Sequence, residues 1–204
     1  MRNALLALLA GCLLAPLGQS VAKPSRQQLR EYRHHLYGAH AIGGSAASAT
    51  VGTLRDRPHE WGGGPGGFAK RFASHLAQHA VKETIQLGVA TWHHEDLHYH
   101  RSNLHGTLPR MKYAFVSTFI VPKTNRPGKK TVALGRISGN LGGGLISRAW
   151  QPASAAGVGA GLASGGIGLG AEVGVNMARE FWPRKHERVR KLVSHSHAAA
   201  RSPA

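Results

Sequence analysis

The pattern with the sharpest chemical meaning is His94-Glu95-Asp96-Leu97-His98, an H-E-x-x-H. On a helix, His94 and His98 share a face and could bind one zinc ion, with Glu95 as general base on the bound water, the chemistry of a metallopeptidase. The longer form of that motif needs Gly and His at positions 101 and 104, where this chain has Arg101 and Leu104, and His105 misses the register by one. Looser metal holding has more donors, because His93, His94, His98, His100 and His105 crowd together with Glu95 and Asp96 among them, and His75 and His79 form a second i, i+4 pair. If one helix joins the two groups, about 22 Å separates them, so they cannot share an ion. A chain with 14 histidines produces such spacings by chance. The expectation is therefore no catalytic residue, no metal site and no cofactor, with zinc on His94 and His98 and Glu95 as base held as the alternative.

Other catalytic patterns find no anchor. The Gly62 to Gly67 run followed by Lys70 lacks the Gly-Lys-Ser/Thr of a phosphate loop, there is no G-x-S-x-G elbow, and the sole cysteine, Cys12, belongs to the N-terminal apolar segment. A binding surface has more support. Arg184, Lys185, Arg188, Arg190 and Lys191, just after Phe181 and Trp182, make a cationic cluster beside an aromatic pair. Such a pair suits a membrane interface, where rings sit at headgroup level and the charges meet lipid phosphate. Anionic lipid or another polyanion is the expected partner. Specific nucleic-acid recognition is not expected, since aromatics are 6% of the chain and no recognised module is present.

The elements that must position these residues read as helices. Ser25 is placed to cap a short basic amphipathic helix carrying Leu29, Tyr32 and Leu36, with Gly38 to stop it. Residues 38 to 54 are nearly all small or β-branched, with His40 the sole ionisable group. The glycines and Pro65 of 62 to 67 read as a loop or hinge. Phe68, Phe72 and Leu76 then open a long helix that reaches toward His100, and a second helix runs from Pro109 through Tyr113, Val116 and Ile120. Pro122 to Lys130 is a basic turn centred on Pro127-Gly128. The remainder is Gly-rich and helix-like, ending in a helix from about Val175 through Phe181.

Glycine costs about 1 kcal/mol in a helix interior, so an ordered series of glycines requires a reason. Gly135, Gly139 and Gly143 repeat every four residues, as do Gly157, Gly161 and Gly165, then Gly166, Gly170 and Gly174. Gly44, Ser48 and Gly52 follow the same rule. That spacing lines small residues along one helix face and lets two backbones approach closely. Gln151 to Ala171 contains no charged residue, a stretch long enough to cross a bilayer though weak in hydrophobicity.

At the N-terminus, Arg2, the apolar run Ala4 to Leu17 and Ser20-Val21-Ala22 follow the charged, apolar, small-residue order of a cleavable secretory signal. Leu9-Ala10-Gly11-Cys12 also fits a lipobox, which would cut before Cys12 and anchor the chain by lipid. Cleavage after Ala22 leaves no cysteine, so disulfides cannot hold the mature chain together. The net charge of +17 loses only Arg2 in that step. Such a charge outside the cytoplasm favours phosphate-bearing lipid, acidic glycan or nucleic acid.

The stretch from Glu60 to Pro183 resembles an uncharacterised family of exported bacterial proteins of unknown function. The resemblance is carried by Glu60-Trp61-Gly62, Gly67-Phe68-Ala69-Lys70-Arg71, Gln78-His79-Ala80-Val81-Lys82, His94-Glu95-Asp96, Tyr99, Arg101-Ser102, Gly174-Val175-Asn176 and Glu180-Phe181-Trp182-Pro183. It implies no activity. Leu97-His98 departs from the Pro-x-Tyr that follows His-Glu-Asp in that family, which turns Glu95 and Asp96 toward a structural role, such as pairing with Arg101 at a helix end. The expected architecture is mainly α. A signal segment at 1–22 precedes a basic helix with a small-residue segment at 23–60, a helical domain at 61–192 with Gly-spaced, closely packed helices and a Gly-rich loop, and a disordered tail at 193–204. The expected protein is exported to the periplasm or cell envelope and membrane-associated, with a structural or interaction role.

Overall fold

Ser25 opens the first helix with a capping box: its hydroxyl accepts from the Gln28 amide while the Gln28 side chain accepts from the Ser25 amide. The helix so started, α1 (Arg26–Tyr37), turns at Gly38 directly into α2 (Ala39–Leu54). The computed structural model describes residues 24–182. The signal segment 1–22 with Cys12, the cluster Arg184, Lys185, Arg188, Arg190 and Lys191, and the tail 193–204 lie outside the described residues.

Four further helices follow, α3 (Gly64–His93), α4 (Thr107–Phe119), α5 (Leu134–Ile146) and α6 (Val158–Phe181). The fold is mainly α. A two-stranded antiparallel hairpin, β1 (Ile120–Pro122) and β2 (Lys130–Val132), links α4 to α5, with Val121 opposite Thr131. Its turn is the basic segment read from the sequence. Helix α3 is the spine: α5 and α2 pack along it, α6 packs on α5 and α4, and α1 rests on α3 and α2. Residues 23–60 thus join the same helical body.

Three boundaries differ from the expectation. Gly64 to Gly67 form the first turn of α3, because Pro65 tolerates a helix start and the Gly67 backbone is closed over by the Gly62 carbonyl. The far end of α3 falls at His93 and not near His100. His94 takes the left-handed conformation (φ 57°, ψ 46°), and the Glu95 amide donates back to the Ala90 carbonyl at 2.8 Å, a Schellman-type stop. Finally, α6 starts at Val158, seventeen residues before Val175. The charge-free stretch from Gln151 is therefore not one helix, since Ala153–Ala155 form a separate 3-10 turn and Gly157 is the N-cap of α6.

Burial in this bundle is inverted. Among the described residues, the buried apolar side chains are five alanines with Val121 and Tyr99, whereas 14 polar or charged side chains are buried. The largest fully buried ones are Arg71, Glu95 and Glu180. Large apolar side chains point outward instead, including Ile42, Val51 and Leu54 of α2 and Val158, Leu162 and Ile167 of α6.

Candidate functional site

The H-E-x-x-H pattern begins at the left-handed cap just past the end of α3, so the helix that would bring His94 and His98 onto one face is absent. Glu95 is fully buried and caps α5: its carboxylate accepts from the Gly135 amide at 3.0 and 3.2 Å and from His93 Nδ1 at 2.8 Å. A carboxylate on the free amides of a first helical turn is favoured by the helix dipole. Asp96 accepts from the His98 amide at 2.9 Å and meets His100 Nε2 at 2.8 Å. The expected pairing of these acids with Arg101 is not formed, because Arg101 is aimed the other way and donates to the Glu180 carbonyl at 2.6 Å. Among the described residues, no three His, Cys, Asp or Glu side chains converge as a metal ligand set.

Glu180 ties the last turn of α6 to the segment after Asp96. Its buried carboxylate accepts from the Tyr99 hydroxyl at 2.8 Å, from the Ser102 hydroxyl, from the Ser102 amide at 3.1 Å and from Arg110 Nε at 3.3 Å. The Arg110 Nη2 donates to the Glu180 carbonyl, and its guanidinium lies 4.6 Å over the Phe181 ring. Burial, then the bond to Glu180 and the charge it carries, push the Tyr99 phenol above its ordinary range. Tyr99, Arg101, Ser102 and Glu180, four of the residues that carry the resemblance, are one hydrogen-bonded knot joining parts about 80 residues apart. Their role is architectural, since every carboxylate lone pair is taken up by protein.

The chemistry-bearing feature is a polar trough between α2 and α6, floored by α3 and α5, with a volume of about 330 Å³. Such a volume admits a small ligand. Lys82 Nζ in its floor stands 2.6 Å from Glu172 and 3.2 Å from Glu83. Arg136 Nε lies 2.7 Å from the other Glu172 oxygen, and Asn140 donates to Glu172 at 2.7 Å. Glu83 also faces His35 at 3.6 Å. Burying these charges costs several kcal/mol per ion unless each is paired and hydrogen-bonded, which the ring of partners supplies. A second cavity continues from the first, sharing His75, Gln78 and Ser164 with it. Gln78 donates to Ser164 at 2.8 Å across that junction. Beyond it, Arg71 is fully buried but donates to the carbonyls of Arg57, Pro58 and Gly62, so it is a structural clamp.

The glycine series makes the trough possible. A Cβ on Gly135, Gly139 or Gly143 would meet α3 at 2.8 to 2.9 Å, against Gln86, Ala90 and Lys82. Gly165 sits as tightly against Asn140 and Leu141 of α5, and Gly161 somewhat less so, at 3.1 to 3.2 Å from Gly144, Leu145 and Arg148. Gly157 does not belong to this set: it precedes α6, and nothing lies within 4 Å of its Cβ position. Gly166, Gly170 and Gly174 likewise face open space. Sequence reasoning passed over Lys82, Glu83, Glu172, Arg136 and Glu180 as a group. A signal was present, because the chain has only nine acids and two of them, Glu172 and Glu180, interrupt an otherwise Gly- and Ala-rich apolar helix.

In comparisons with protein-family models, with curated proteins and with solved structures, the chain matches none of them.

Proposed function

We propose that this chain is an exported, membrane-inserted helical protein of the cell envelope with a structural or interaction role and no catalytic centre. The inverted burial carries the proposal. The exposed face of α6 holds no ionisable residue from Val158 until Arg179, a rise of about 31 Å, close to the thickness of a bilayer core. Helix α6 is also the one described helix long and apolar enough to cross a membrane, and only 11% of its most apolar stretch is buried within the protein. A core helix of a soluble domain would be mostly covered. Its one acid before the last turn, Glu172, turns inward to Lys82 and Arg136, as ionisable groups in membrane helices do. Several hydroxyls on the helices are satisfied within their own backbone: Thr50 donates to the Ala46 carbonyl, Thr84 to Ala80 and Thr118 to Ala114, so these can sit away from water.

Fractionation of cells expressing the full chain tests the proposal. The expected result is retention in the membrane pellet through high salt and alkaline carbonate, with release by detergent alone. A mature form found wholly in the soluble fraction overturns it.

A further inference from the structure

Three basic side chains along the trough are left without an acid. Lys82 is committed to Glu83 and Glu172, and Arg136 to Glu172. Arg179 on α6, His40 on α2 and His75 on α3 line the same trough, and none of the three has a hydrogen bond or ion pair with another described residue. We propose that the trough binds a phosphate-type anion, free or as the headgroup of an anionic lipid, between Arg179 of one wall and His40 of the other.

A guanidinium presents a planar fork that matches two phosphate oxygens, and an imidazolium adds a third donor. Small residues keep the approach open, since nothing lies within 4 Å of the Cβ position of Gly44 in the α2 wall. The two acids of the floor do not compete for the cations above them, because Lys82 and Arg136 already neutralise them. The His40 ring is pushed below 6.5 by burial first, then by the positive charge of Arg179, His79, Lys82 and His35. An anion in the trough reverses the electrostatic part of that shift. The lipid form of the ligand rests on the membrane reading, in which Arg179 and the neighbouring Phe181 and Trp182 come about one hydrocarbon thickness after Val158, at headgroup level. The free-phosphate form does not.

The test uses the full chain in nonionic detergent, titrated by calorimetry with inorganic phosphate and, separately, with short-chain phosphatidic acid, while NMR follows the His40 ring. Saturable binding of either probe is expected, with the His40 pKa rising on binding and affinity increasing several-fold from about pH 7.5 to about pH 5.5. The other groups facing the trough around His40 are Lys82, Glu83, Arg179, His35 and His79, of which Lys82 is raised and Glu83 lowered from their ordinary values, so that both stay charged across that range. His40→Gln removes the part of the pH dependence that His40 contributes, and Arg179→Gln weakens binding about tenfold or more. Arg179→Lys, which keeps the charge and loses the fork, should bind more weakly than the parent and supplies the test if Arg179→Gln fails to fold. Competition between the probes assigns the source. The proposal is overturned if neither probe saturates at millimolar concentration, or if Arg179→Gln and Arg179→Lys both bind as the parent does. Membrane flotation of the same preparation is scored separately, so phosphate binding by a chain that does not float removes the lipid form and leaves the anion site.

Discussion

Glu180 shows how much one side chain can hold in a bundle with few large buried apolar groups. Its carboxylate is the common acceptor for Tyr99, Ser102 and Arg110. Glu180→Gln should destabilise the detergent-solubilised protein by about 3 kcal/mol, because a broken buried pair leaves Arg110 without its counter-charge. Tyr99→Phe should cost about 1 kcal/mol, the worth of one hydrogen bond. Equal losses for the two variants in thermal unfolding would show that the charge contributes nothing beyond geometry. A pH dependence belongs to the same scale. The His40 ring titrates below 6.5 in the folded chain, so the unfolded chain takes up its proton first. The contribution to stability is intact above that value and is lost as pH falls through it. The unfolding midpoint should drop on acidification, and less steeply in His40→Gln.

At the scale of elements, two kinds of glycine occupy the same helices. Gly139→Ala places a methyl 2.8 Å from the Lys82 carbonyl oxygen, and Gly165→Ala one equally close to Asn140 and Leu141. Backbone cannot yield as a flexible side chain does, so each should cost about 1 to 3 kcal/mol through overpacking. Gly166→Ala and Gly170→Ala meet nothing within 4 Å and should each stabilise α6 by about 0.5 to 1 kcal/mol, the difference in helix propensity. Unfolding measured on the four variants checks the sign of each. The four-residue series was legible in the sequence, but which member of it touches a neighbour was not. Gly157 has the right spacing and precedes its helix. Gly144 lies outside the series and is nevertheless packed against Gly161 and Gly165.

For the whole molecule, the decisive property is which side of each helix meets solvent. Leu162 of α6 is 45% exposed and lies outside the trough. In water Leu162→Arg would be close to neutral. In a bilayer it should cost about 2.5 to 3.5 kcal/mol of insertion and move protein out of the carbonate-resistant pellet. An unchanged distribution would mean that this face does not contact lipid. The same inversion explains why Lys82, Glu83, Arg136 and Glu172 converge. Under the proposed membrane reading, apolar side chains covered by lipid need not fill the centre, and the space is taken by small residues and by charges that satisfy one another.

Local chemistry written within a few residues was readable from the chain itself. Ser25 and Gln28 cap α1, Gly38 ends it, the helical spacing of α3 and α4 is plain, and Pro127-Gly128 turns the hairpin. Each depends on neighbours at most four positions apart. The fate of the H-E-x-x-H pattern depended on distant partners. The Glu95 carboxylate is used by the Gly135 amide, 40 residues on, and the left-handed stop at His94 separates the two histidines. Spacing alone specifies a face only where a helix continues, and the packing of α5 against α3 decided where this one ends. Only tertiary structure, likewise, could bring Lys82 to Glu172 and set Arg179 opposite His40, because ion pairing across helices is settled by which faces the glycines allow to close.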